Sequence, residues 1–373
     1  MTTRSLGVAE ALVDGVVVPG DVVVEGSTIA AVGVLPGGRS GLAVPGFVDV
    51  QVNGFAGVDF TTTDLDGYRT ASQAIGRTGV TSFLATMPTA APEAYGPALA
   101  VARAAATTTL PGAQVAGVHL EGPFLSPERP GAHRPDWLRA PDRACCDGWL
   151  DAAPVVVMTL ASELDGAIEL IEHLCARGVI VSLGHTDARA SVAHLGFDAG
   201  ASMVTHLWNA QRPITSREPA VGGAGLARDD VVLGVISDLI HVAADTLRFT
   251  IAAAGDRFML VTDAVSLAGT EEVPLDEATL RSREPRLVDG AVRLPDGTLA
   301  GSACGMDQAI RNIVGLGVPL ERAVAAATSV PARALRTHGV GLGALVPGGR
   351  ADVTVLDDAL EVRQVLVGGH PLL

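Results

Sequence analysis

The chain has 373 residues, enough for one large domain or for a barrel with a smaller companion. Its 48% hydrophobic and 18% charged residues exclude a disordered chain, and a net charge of −15 argues against nucleic acid as a partner. All 26 basic residues are arginine, and the absence of lysine excludes Schiff-base chemistry, a P-loop lysine and a lysine carbamate bridging two metals.

In chain order, residues 1–43 hold short apolar runs ended by Gly or Asp, as in ALVDGVVVPGDVVVEG, and read as a small antiparallel β unit. From residue 44 the pattern alternates strand with helix. Candidate strands are 47–52, 80–87, 115–121, 154–161, 179–185, 202–206, 231–238 and 258–263. Helical stretches such as ELDGAIELIEHLCARG and ADTLRFTIAAAG separate most of them, each closed by glycine. Residues 340–373 return to β character. The expectation is an α/β protein: a (β/α)₈ TIM-type barrel over 44–339, with a small composite β-rich domain from 1–43 plus 340–373. A doubly wound sheet is the alternative.

Polar residues punctuate the C-terminal ends of these apolar strands: Gln51, Asn53, Glu121, His185, His206, Asp238 and Asp263. In a barrel those ends converge on one rim, where active sites are built. Glu121 in VHLEGPF, His185 in SLGHTD and His206 in VTHLWNA make a three-ligand set for one divalent ion, Zn²⁺ or Fe²⁺, with a position left for water. Asp263 in VTDA is placed to take a proton from that water and pass it to a leaving amine. His133, in the loop GAHRPD, is a candidate donor to a developing oxyanion. His119 precedes Glu121 by two residues, shares its face of the strand and competes for the ligand set.

No apolar run approaches the roughly 18 residues of a membrane span. The start, MTTRSLGVAEALVDG, lacks the apolar core of a secretory signal. Four cysteines without metal spacing read as reduced thiols, so the expected location is cytoplasmic.

The segments PGFVDVQVNG, HLEGPF, GAHRPD, LGHTDA, THLWNA, SREP, VTDA, GTLAGS and VPGGRADVTVLD keep one order from about residue 44 to 357. In that set and order the chain resembles the N-acetylglucosamine-6-phosphate deacetylases of the amidohydrolase superfamily. The resemblance implies hydrolysis of N-acetyl-D-glucosamine 6-phosphate to glucosamine 6-phosphate and acetate. It assigns one metal to Glu121, His185 and His206, the acid–base role to Asp263 and carbonyl polarisation to His133. Arg217 and His241 match phosphate-binding positions, Asn209 and Ala210 match further polar contacts to the substrate, and a homodimer is implied. Gln51 and Asn53 match the branch that replaces a two-histidine motif and works with one metal. Departures at Gln211, in DLIHV (no glycine between Asp238 and His241, where one is usual) and at Cys304–Gly305 put the sugar contacts at issue. N-acetylgalactosamine 6-phosphate is the competing substrate, and a D-aminoacylase or cyclic-amidase chemistry the more distant one.

Overall fold

The computed structural model describes residues 3–271, 284–335 and 342–372. His338 and the expected division at 339/340 lie outside them. The eight expected strands form one parallel sheet: Phe47–Val52, Val80–Pro88, Gln114–Glu121, Val155–Leu160, Ile180–Leu183, Met203–Val204, Val232–Ile236 and Phe258–Val261. They pair in sequence order, each with the next. The sheet then joins its own first strand, because the Asp263 N–H donates to Gln51 O at 2.9 Å and the Asn53 N–H to Ala264 O at 2.7 Å. The result is a (β/α)₈ barrel.

Every residue of the first strand is buried, as befits a strand with packed side chains on both faces. One set of side chains (Val48, Val50, Leu84, Val157, Ile180, Met203, Ile236, Met259, Val261) packs together with Val330, Ala334 and Leu335. The alternate set, including Leu120, Met158, Leu160, Val204 and Leu260, belongs to the larger cluster shared with the surrounding helices. The former set fills the barrel lumen, as the side-chain period of two requires.

Both ends of the chain share one sheet. Its central strand, Leu42–Pro45, pairs antiparallel with Val353–Leu356 and parallel with Glu10–Val13. After the eighth barrel strand the chain adds a three-stranded antiparallel unit: Arg286–Val288, Ala291–Arg293 and Leu299–Ser302. Its first turn is Asp289–Gly290, with φ of 50° and 73° as a two-residue hairpin turn requires. Ser302 ties this unit to the rim, its N–H donating to Asp263 O at 2.9 Å.

Candidate metal centre and active site

Three strand exits share one construction. The strands ending at Leu183, Val204 and Val261 are each followed, two residues on, by His185, His206 and Asp263. All three residues have positive φ, 47°, 27° and 49°. For non-glycine residues this region is sparsely populated and costly, and such strain concentrates at functional sites.

The geometry brings Glu121, His185 and His206 together. Glu121 Oε1 lies 3.0 Å from His206 Nε2 and 3.3 Å from His185 Nε2, and the two histidine nitrogens are 3.0 Å apart. A tetrahedral ion with ligand bonds of about 2.1 Å sets its donors roughly 3.4 Å apart, so the three atoms have the spacing of ligands around one cation. His185 Nδ1 donates to Arg129 O at 3.1 Å, which leaves the Nε2 lone pair facing the other two groups. The donor set therefore fits a divalent metal.

Gln51 and Asn53 act as donors to the acids around them. Gln51 Nε2 donates to Glu121 Oε1 at 2.8 Å and to Asp263 Oδ1 at 3.2 Å, and Asn53 Nδ2 donates to Asp263 Oδ1 at 2.7 Å. Burial, then the like charge of Glu121, pushes Asp263 up to about 6. A carboxyl tuned to that range is suited to move protons near neutrality.

His133 also faces the cluster. Its ring stands edge-on to His185, with centroids 4.4 Å apart. Nδ1 accepts from the Thr89 N–H at 3.2 Å, so in the neutral ring Nε2 carries the hydrogen. Burial, then the neighbouring His185, pushes His133 down to about 3, which keeps it neutral. Nε2 lies 3.8 Å from Glu121 Oε2, too far for a hydrogen bond to it.

His119 shares the face of Glu121 yet stays outside the ligand set. Its Nδ1 meets Val50 O at 3.0 Å and its Nε2 meets Thr159 Oγ1 at 2.8 Å, so both ring nitrogens are occupied. Burial pushes it down to about 4. It joins Thr159, Thr205 and Ser182 in a polar layer beneath the ligands, linked by hydroxyl contacts of 2.7 and 2.6 Å.

A cavity of about 660 Å³ opens above these groups, lined by Glu121, His133, His185, His206, Asn209, Ala210, His241 and Asp263. Arg217 is exposed and is not among its lining residues. The three-stranded unit supplies an apolar wall of Val292, Leu294 and Leu299, which the sequence reading did not anticipate. The signal was present in the Asp289–Gly290 pair between short apolar runs.

The amidohydrolase family model matches residues 42–372. An Escherichia coli O157:H7 protein named N-acetylgalactosamine-6-phosphate deacetylase is 37% identical over 88% of this chain and 87% of its own length. The N-acetylglucosamine-6-phosphate deacetylase of Rattus norvegicus is 38% identical, over 90% of this chain and 83% of its own. A structure of a mutant Mycobacterium smegmatis N-acetyl-D-glucosamine-6-phosphate deacetylase, in complex with N-acetyl-D-glucosamine 6-phosphate, superposes with a TM-score of 0.91 at 31% identity, covering 100% of both chains.

Proposed function

The chain belongs to the amidohydrolase family, and from that premise we propose that it hydrolyses N-acetyl-D-glucosamine 6-phosphate to D-glucosamine 6-phosphate and acetate. The observation that carries this reading is the meeting of Glu121, His185 and His206 beside Asp263 and His133 at the floor of one cavity. One Zn²⁺ or Fe²⁺ per chain, held by Glu121, His185 and His206, would supply Lewis acidity for the acyl oxygen and for water. Asp263, steadied by Asn53 and Gln51, takes the proton of the attacking water and delivers it to the departing amine. His133 donates from Nε2 to the acetyl oxygen as negative charge builds there.

Asn209 and Ala210, on the cavity wall, contact the sugar, and His241 meets the phosphate. Arg217 supplies its bidentate fork to a phosphate in a homodimer, since it stands outside the cavity of its own chain. The barrel (44–339) carries the chemistry, and the composite unit (1–43 plus 340–373) supports it. A phosphorylated substrate places the enzyme in the cytoplasm. Among the described residues no helix is long and apolar enough to cross a membrane.

The test is acetate release from the phosphorylated sugar beside elemental analysis of the protein. We expect about one metal per chain and a loss of at least roughly 10²-fold in kcat for Asp263→Asn. An active Asp263→Asn enzyme, or metal well above one equivalent, would refute the mechanism. The galactosamine epimer is the second reading, because a relative so named is 37% identical while one named for glucosamine is 38% identical. Turnover of both epimers, side by side, decides between them.

A further inference from the structure

Asp238 takes no part in the chemistry above, yet it is built into the same rim. The seventh strand ends at Ile236, and Asp238 follows two residues later, the same offset at which His185, His206 and Asp263 follow their strands. Its carboxylate is held on both oxygens. Oδ1 accepts from the Ile240 N–H at 2.9 Å and the His241 N–H at 2.8 Å. Oδ2 meets His241 Nδ1 at 2.6 Å, and the two side chains are only 3% and 4% exposed.

Burial alone would favour the neutral acid, but the bond to His241 and the backbone donors outweigh it and hold Asp238 below the usual carboxylate range. The anion fixes the hydrogen of His241 on Nδ1 and leaves Nε2 for the cavity that His241 lines. Among the described residues no arginine pairs with Asp238, and His241 is the side chain that meets its carboxylate. The Oδ1 contacts also close the turn through Leu239, whose φ of 66° is otherwise costly for a residue with a side chain.

We propose that Asp238 is a positioning residue for substrate anion recognition: it clamps His241 through Nδ1 and so fixes the ring edge that His241 turns to the phosphate of the sugar. This rests on the deacetylase reading and names a residue through which it works. His241 touches substrate; Asp238 acts only through His241.

Four enzymes test it: the native protein, Asp238→Asn, His241→Ala and the double variant, each compared by melting curve and metal content. For Asp238→Asn we expect KM for the phosphorylated sugar to rise about tenfold with a much smaller change in kcat. Inhibition by inorganic phosphate should weaken by a similar factor, and preference for the phosphorylated over the unphosphorylated sugar should fall about tenfold. In the His241→Ala background the Asp238 substitution should add less than about twofold, because the residue it acts through is gone. Additive losses, or equal losses on both sugars, would overturn the proposal.

Histidine ¹⁵N spectra give a readout independent of turnover. The native protein should show His241 protonated at Nδ1, and Asp238→Asn should shift that proton. An unchanged spectrum overturns the clamp. Failure of the native enzyme to release acetate from any sugar phosphate sinks the substrate reading instead, leaving the spectra to judge the pair.

Discussion

Gln51 and Asn53 show how a change of two side chains alters what a barrel rim can hold. As neutral amides they are poor metal ligands beside imidazole, and here each spends its NH₂ on carboxylates: Gln51 on Glu121 and Asp263, Asn53 on Asp263. Two acids that would repel one another are thereby bridged. Two residues before Gln51, Asp49 is fully buried and accepts from Thr262 Oγ1 at 2.6 Å. Burial pushes it up to about 7. The folded protein therefore keeps this proton between about pH 4 and pH 7, where an unfolded chain has released it. Stability from this group is full below the lower value and declines as pH rises through the window. We expect Asp49→Asn to remove this group's share of the pH slope, so that between pH 5 and pH 8 its unfolding free energy falls less, or rises more, than that of the native protein, in which buried neutral His119 and His133 pull the other way. Urea melts at the two pH values check this, and equal pH slopes would contradict it.

This scale also marks what a sequence discloses. Glu121, His185, His206 and Asp263 are legible because a charged or titratable group at the exit of an apolar run demands a partner. The exclusion of His119 is not legible. It depends on Val50 O and Thr159 Oγ1 reaching it from two other strands. Nor does one chain's sequence reveal that Arg217 lies outside the lining of its own cavity.

Between elements, Asp187 gathers three segments of the rim. It pairs with Arg129 Nε at 2.7 Å and with Arg212, while the Arg212 N–H donates to Thr186 O at 3.0 Å. Arg129 in turn offers its carbonyl to His185. The loop bearing His133 is thus fastened to the exit bearing His185, one of the three candidate metal ligands. Loss of such outer support typically costs 10–100-fold in metal affinity. For Asp187→Ala we expect a loss of about tenfold, read by chelator competition, with the melting curve changed little. Unchanged affinity would show the clamp to be idle.

Leu239 makes a second prediction at this scale. Its left-handed backbone costs about 1–2 kcal/mol, against roughly 0.5–1 kcal/mol of extra chain entropy for glycine. Leu239→Gly, at 42% exposure, should leave the melting temperature level or raised. A fall of several degrees would refute it. The eight strands were readable because each is a short apolar run between turn signals. The sheet at 286–302 escaped notice because its strands are only three or four residues long and give little periodicity.

At the scale of the molecule, the last residues of the chain hold its beginning. Val353–Leu356 covers one edge of Leu42–Pro45, and Thr354 Oγ1 donates to Gly79 O, at the threshold of the second barrel strand. Deleting residues 353–373 would bare that strand edge and part of the apolar cluster behind it. We expect an insoluble product, seen as loss of protein from the supernatant on expression; a soluble, active truncation would disprove the dependence. Removing metal should act more gently. A ligand at 100 times its Kd contributes about 2.7 kcal/mol, so chelation should lower the melting temperature while the circular dichroism of the folded state persists.

The seam that joins the eighth strand to the first runs through Asp263, Gln51 and Asn53. The proposed proton carrier thus sits on the seam that closes the ring, and a ring left ajar would lack it. In refolding, recovered turnover should lag behind recovered helical signal, making acetate release a chronometer for the moment the circle shuts.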